Sequence, residues 1–277
     1  MDPSSKDRPK DGWNPDLNQD EAIIAQERLI EKEIAEKICL IGAKCDLMRL
    51  SSEYPDDDNA FQEKIKDLRK RYQWMRKTRP DGNCFFRAFT FAYFESLLQD
   101  EPELTRFITV AEKSKEELIS LGFPNFTIED FHECFYGVLN RIKSGEISTS
   151  EQLQAVFNDQ GISDYLVVFM RLVTSGHLRS NEEFFSNFIE GEKTVKEFCS
   201  HEVEPMYKES DHIHIIALTA ATKVPVCINY LDRGQGGKVT VHNFPEGSSP
   251  RIHLLYRPGH YDILYLDSIQ NGAVNNV

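Results

Sequence analysis

The chain has 277 residues, 40% of them hydrophobic, and a formal net charge of -13, enough apolar material for the core of one large domain or two small ones. A negative charge of that size repels phosphate backbones and excludes the basic footprint of a nucleic-acid binder; a partner with basic patches suits it better. Nowhere is there a run of about 20 apolar residues, so no membrane span is expected; residues 213–221 are the best stretch, and they are short and contain His214.

Residues 1–20 mix Pro3, Pro9 and Pro15 with charges, give little to bury and read as a disordered lead. They lack the apolar core of about 7–15 residues that a secretory signal needs. The six cysteines, Cys39, Cys45, Cys84, Cys134, Cys199 and Cys227, are widely scattered, so reduced thiols are expected over a disulfide framework, in the cytoplasm with the nucleus as a second compartment. Ile23, Ile30, Ile34, Ile38, Ile41, Cys45 and Met48 then recur at helical spacing with Glu, Lys and Arg on the other faces, which predicts one amphipathic helix. It stops near Ser51 and Ser52, and the acidic stretch 54–59 is a solvated break. Residues 21–58 are therefore read as a helical arm and 59–277 as the main domain.

A second helical pattern covers residues 61–77 and ends before Thr78-Arg79-Pro80, where the residue ahead of proline is pushed toward extended geometry. Asp81-Gly82-Asn83 reads as a tight turn. Residues 84–98 carry Phe85, Phe86, Phe89, Phe91, Tyr93 and Phe94, too apolar for a surface helix, which predicts a buried helix with Cys84 at its N-terminus. Helical patterns follow at 104–121, 128–142, 163–174, 182–189 and 210–222. After Lys223 come short β-rich runs, 224–230, 239–244, 252–256 and 260–266, separated by glycines and prolines. The expected fold class is α+β: a helical layer packed on a C-terminal antiparallel sheet.

A thiol acts as a nucleophile only as thiolate, and at its ordinary pKa of about 8.5 little of it is ionised at neutral pH. A helix N-terminus favours the anion, and Cys84 has that position. The turn before it supplies closely spaced N–H groups from Asp81, Gly82 and Asn83, donors of the kind that hold an oxyanion. Among eight histidines, His260 has the best setting for a base, because it follows the Pro258-Gly259 turn and opens a strand. Two positions along, Asp262 shares its face and can orient the ring. Tyr261 and Ile263 point the other way, into the core. The plain alternative is that these are buried structural residues, as is assumed for the other five cysteines. No C-x-x-C or H-E-x-x-H spacing is present, and His212 and His214, two apart on a helix, diverge, so no metal is expected. The Gly234-Gln235-Gly236-Gly237 loop has no helix after it to make a phosphate cradle, and there is no G-x-S-x-G elbow.

The run Arg79-Pro80-Asp81-Gly82-Asn83-Cys84-Phe85-Phe86-Arg87-Ala88 resembles the nucleophile motif of the ovarian-tumour (OTU) deubiquitinases, and Arg257-Pro258-Gly259-His260-Tyr261-Asp262-Ile263-Leu264-Tyr265 looks like their histidine motif. The blocks at 163–168 and 203–214 are similar to the otubain branch. The resemblance implies a papain-like fold that hydrolyses the isopeptide bond between a ubiquitin C-terminus and a lysine. Cys84, His260 and Asp262 match the triad, and Asp81 matches a position linked to the oxyanion loop. Glu209 and His212 match the surface that holds the distal ubiquitin. No cofactor is implied, and a monomer is expected. Otubains with a long N-terminal helix prefer lysine-48-type chains, and some bind ubiquitin-charged conjugating enzymes and block them without catalysis, which makes both polyubiquitin and such enzymes expected partners. Two readings therefore stand: a ubiquitin isopeptidase, and a module that sequesters ubiquitin or its conjugating enzymes.

Overall fold

The structure is a computed structural model and describes Gln26 and residues 37–234 and 236–267. The chain divides into two units, residues 1–37 and 38–277. The expected disordered lead, and residues 21–36 of the expected arm apart from Gln26, lie outside the described residues. From Ile38 onward the arm reading is corrected. Ile41 forms a bridge with Thr78, Cys45–Asp46 is a short strand (β1), and Leu47–Glu53 is a 3-10 turn capped by the Asp46 carboxylate. Leu40, Ile41, Leu47 and Leu50 are buried. Of the residues that repeat with helical spacing here Ile41 is buried while Ile38 and Met48 are exposed, and the core is plugged instead by Leu40, Leu47 and Leu50, so burial outweighs local periodicity.

The helix expected over 61–77 is two elements. Asn59–Leu68 (α1) is helical, and Tyr72–Arg76 (β2) is a strand. Phe61, Ile65 and Leu68 satisfy the helical period and are buried; Tyr72 and Met75 fit it too, but antiparallel pairing with residues 263–266 draws them into the sheet. Next come Cys84–Leu97 (α2), Glu101–Ser120 (α3), Asn125–Lys143 (α4), Ser150–Phe157 (α5), Gln160–Ser180 (α6), Glu182–Phe185 (α7), Val195–Phe198 (α8) running into a π-turn, and His212–Thr222 (α9). The last strands are Val226–Tyr230 (β3), Thr240–Phe244 (β4), Ile252–Arg257 (β5) and His260–Leu266 (β6). α5 and α8 had no place in the helical pattern. Each begins with a capping box, Thr149 with Gln152 and Thr194 with Glu197, a local signal that needs no long apolar stripe.

The α+β class stands, and the sheet is mixed: its order is β1-β2-β6-β5-β3-β4, and β3 pairs with β5 in parallel while the other pairs are antiparallel. One sheet face, with Leu254, Tyr261 and Ile263, packs on the helical mass around α2. The other, with Leu255 and Leu264, is covered by Leu47, Leu50, Phe61, Ile65 and Leu68. Helix α2 is buried nearly all round; each enclosed phenylalanine contributes about 1.5–3 kcal/mol, so Cys84 is mounted on one of the most rigid elements of the fold.

Candidate active site

Cys84 is the first residue of α2 and is buried, 4% exposed. The turn before it is left-handed at Gly82, with φ of 72°. A Cβ there would sit 2.3 Å from the Tyr207 carbonyl oxygen, so the close approach of the two backbones requires glycine. Asp81 fastens the turn: its Oδ1 accepts the Asn83 N–H at 3.0 Å, and both carboxylate oxygens accept from Arg87 Nη1 at 2.8 Å. Arg87 is fully buried and donates to Ser163 Oγ at 3.1 Å from below.

Arg171, on α6 and fully buried, ties the same turn to the segment after the π-turn. Its Nη2 donates to Gly82 O (3.0 Å), Asn83 Oδ1 (3.0 Å) and Lys208 O (2.7 Å), and its Nη1 to Val203 O (3.0 Å). Its guanidinium lies 4.6 Å from the centre of the Phe86 ring. Burial draws the Arg171 pKa down to about 10, against the opposing pull of Asp81 and Cys84. Asn83 Oδ1 also accepts the Tyr207 N–H at 2.9 Å. Arg171 had no part in the sequence reading. Its signal was a lone arginine among Val167, Val168, Phe169, Met170, Leu172 and Val173, a residue type that is buried only when paired.

The oxyanion donors are narrowed by these bonds. The Asp81 N–H is spent on Arg79 O at 3.0 Å, and the Asn83 N–H on the Asp81 side chain. Asp81 and Asn83 thus hold the turn. Among the described residues the N–H groups of Gly82 and Cys84 have no acceptor, and Asn83, the N-cap, makes no side-chain cap, so the free donors of the helix start face the sulfur's end of α2.

The candidate base comes from the β5–β6 hairpin, where His260 pairs with Arg257 across the Pro258-Gly259 turn. His260 Nε2 lies 2.9 Å from Asp262 Oδ1. A carboxylate only accepts, so Nε2 carries the hydrogen and Nδ1 is left for the sulfur. Asp262 is fully buried; Oδ1 also accepts the Thr78 N–H at 3.0 Å, and Oδ2 accepts from Arg257 Nη2 at 2.5 Å. Burial pushes the Asp262 carboxyl up, but His260, Arg257 and Thr78 outweigh it and hold the pKa below the usual carboxylate range. At His260 burial works downward, and the hydrogen bonds and negative charges of Asp262 and Cys84 overcome it, raising the pKa to about 9. His260 Nδ1 is buried and makes no hydrogen bond of ordinary geometry, although Cys84 is near enough to stabilise the imidazolium. Tyr261 and Ile263 are buried on the opposite face, as expected, with the Tyr261 ring 5.2 Å from Phe85.

Glu209 and His212 are exposed. Glu209 runs beside Gly259: a Cβ on that glycine would lie 3.1 Å from Glu209 Oε1. His212 begins α9 and its Nε2 is 3.0 Å from the Tyr230 hydroxyl. Both line a groove of about 630 Å³ together with Phe184, Phe188, Ile213 and Ile216. Phe184 and Phe188 are 55% and 58% exposed, an apolar surface beside the catalytic centre that the sequence pattern had assigned to an ordinary helix. No cluster of three or more metal-ligating side chains occurs among the described residues, and no described helix is long and apolar enough to cross a membrane.

Residues 33–266 match the Peptidase C65 otubain family. The chain is 56% identical over 249 residues to the ubiquitin thioesterase OTUB1 of Homo sapiens, covering 90% of this chain and 91% of that one. It is 44% identical over 255 residues to the OVARIAN TUMOR DOMAIN-containing deubiquitinating enzyme 1 of Arabidopsis thaliana, covering 85% and 83%. The structure of h/ceOTUB1-ubiquitin aldehyde-UBCH5B~Ub is similar at a TM-score of 0.85 and 38% identity, covering 90% of this chain and 98% of that chain. A ceOTUB1 ubiquitin aldehyde UBC13~Ub complex is similar at a TM-score of 0.83 and 36% identity, covering 88% and 99%.

Proposed function

The chain belongs to the otubain family of cysteine peptidases, and from that premise we propose that it is a deubiquitinase hydrolysing isopeptide bonds in polyubiquitin through Cys84, His260 and Asp262. The observation that carries the reading is the His260 ring held by Asp262 at 2.9 Å with Nδ1 left toward the cysteine that opens α2. The Cys84 thiolate attacks the isopeptide carbonyl, and the developing oxyanion takes the free N–H groups of Gly82 and Cys84. The imidazolium then gives its proton to the departing lysine amine, leaving a thioester and neutral His260. Water, deprotonated by His260, attacks that thioester, and the thiolate departs. Asp81 works through the turn, by holding Asn83 and Arg87, and touches no reacting atom.

The groove lined by Phe184, Phe188, Glu209 and His212 is the surface we assign to the distal ubiquitin: its exposed rings with an acid beside them suit a partner that offers an apolar patch and basic groups. A preference for lysine-48-type chains and the blocking of ubiquitin-charged conjugating enzymes, both through the segment before Ile38, complete the reading. Similar solved structures hold ubiquitin aldehyde with UBCH5B~Ub or UBC13~Ub. The action is placed in the cytoplasm, and in the nucleus as a second compartment, by a monomer without cofactor.

The test is incubation of the purified chain with a ubiquitin bearing a thiol-reactive electrophile at its C-terminus. The parent is expected to form an adduct, Cys84→Ala none, and His260→Ala a slow one. A folded parent that forms no adduct would leave only the sequestering module.

A further inference from the structure

The acid of the triad has a partner that the mechanism above does not use. Arg257 Nη2 meets Asp262 Oδ2 at 2.5 Å, and the other end of the same guanidinium, Nη1, meets Glu53 Oε2 at 2.9 Å. Glu53 closes the 3-10 turn that covers this face of the sheet, and its Oε1 lies 2.5 Å from Lys77 Nζ. Asp262 is wholly buried, and the Arg257 and Glu53 side chains are 18% and 27% exposed, so the chain Glu53–Arg257–Asp262–His260 runs from the protein's rim to the catalytic base.

The distribution of donors over the carboxylate gives Arg257 its weight. Oδ1 accepts both from His260 Nε2 and from the Thr78 N–H, whereas Oδ2 has Arg257 alone among the described residues. Without the guanidinium, Oδ2 is a buried anionic oxygen with no donor. A carboxylate in that state is free to rotate, which misaims its bonds to Thr78 and His260 while its charge stays beside the ring. Arg257 is covalently rigid at its fork, so gripping Glu53 at one end aims the other.

We propose that Arg257, anchored by Glu53, is a positioning residue of the otubain reaction: it fixes the rotation of Asp262 and sets how much of that carboxylate's charge reaches His260. The inference rests on the deubiquitinase reading. The titratable and charged groups that act on His260 and Asp262 are Cys84 from α2, Arg257 from β5 and Cys45 from β1; Glu53 and Tyr54 act on Arg257, Lys77 pairs with Glu53, and Glu209 lies beside Gly259. Of these, Arg257 alone binds the free oxygen of Asp262.

The sign follows from charge. Replacing Arg257 with methionine exposes His260 to an uncompensated carboxylate, which favours imidazolium and moves the alkaline limb of kcat/KM upward. Replacing Glu53 with glutamine frees Arg257 to neutralise Asp262 more completely and moves that limb downward. Charge alone opposes the two shifts, so the positioning role is read from kcat: a purely structural ion pair leaves kcat of the folded variants unchanged. The experiment measures kcat and KM against pH on a fluorogenic ubiquitin C-terminal amide for the parent, Arg257→Met, Arg257→Lys and Glu53→Gln. In parallel, the His260 ring is titrated by NMR, its signal identified by loss in His260→Ala. Arg257→Met is expected to lower kcat at least about tenfold with KM little changed, Arg257→Lys to restore the parent's limb but only part of kcat, and the two charge removals to shift the limb in opposite directions. Limbs that stay put, or move together, overturn the proposal. Glu53→Gln, at the more exposed end, carries the test where Arg257→Met fails to fold. Because the titration needs no ubiquitin, an inactive parent sinks the deubiquitinase reading while the Arg257 inference is still decided by the ring's pKa.

Discussion

Gly82→Ala puts the contact between the oxyanion turn and the Tyr207 backbone to a direct test. The added Cβ would lie 2.3 Å from Tyr207 O, 2.5 Å from its carbonyl carbon and 3.0 Å from its Cα, the nearer two about 1 Å or more short of the optimal separation of about 3.5–4.0 Å. Neither side yields freely. Tyr207 has a strained φ of 65° and donates its N–H to Asn83, and the turn is pinned by Arg171. A displacement of about 1 Å at the reacting centre costs on the order of 100-fold in rate, and a left-handed alanine costs roughly 1–2 kcal/mol in stability by itself. Gly122→Ala is the control: its φ is also left-handed, 85°, but nothing lies within 4 Å of the new Cβ, so it is expected to lose the same 1–2 kcal/mol or so and no activity. Both variants are assayed for kcat/KM on a ubiquitin C-terminal amide and for Tm. If Gly82→Ala retains activity within a factor of about three of Gly122→Ala, the contact with Tyr207 does not set the geometry of the site.

Arg171→Met removes the donor to Val203 O, Gly82 O and Lys208 O and one of the two donors to Asn83 Oδ1. Urea unfolding is expected to show a loss on the order of 3–5 kcal/mol, and a variant as stable as the parent would remove the arginine from the account. For pH, the folded pKa of His260, about 9, lies above the unfolded value of about 6.5. The imidazolium's contribution is therefore complete below about pH 6.5 and disappears as pH rises through about 9. Tm should fall across that window in the parent and fall less in His260→Ala, while kcat/KM declines on the same alkaline side; equal slopes in the two proteins would contradict the assignment.

Legibility of the site in the sequence followed the range of the interactions that build it. Cys84 at a helix start, the glycine of its turn, and the two-residue alternation that puts His260 beside Asp262 are set within a few residues, and the structure places each where the local pattern puts it. β2 was not legible, because Tyr72 and Met75 satisfy a helical stripe and only pairing with residues 263–266 makes them a strand. The same holds for residues 38–48, whose isoleucines fit a helix but whose backbone binds residues 77–79. Arg171 and Arg257 act on carbonyls and a carboxylate brought to them by the tertiary fold, and no spacing announces that.

The two halves of the site are built by different parts of the chain and locked by different cations. The nucleophile half, residues 81–84, is held from the helical layer by Arg87 and Arg171. The base half, His260 and Asp262, is held from the sheet and its second face by Thr78 and Arg257. What joins them is Thr78, two residues after β2 and three before the turn, whose N–H binds the acid of one half while its chain leads into the other. The sulfur and Nδ1 themselves are not closed by a hydrogen bond of ordinary geometry. The Glu209 segment adjoins Gly259 on one side and is tied through Lys208 O to Arg171 on the other, so it touches both halves.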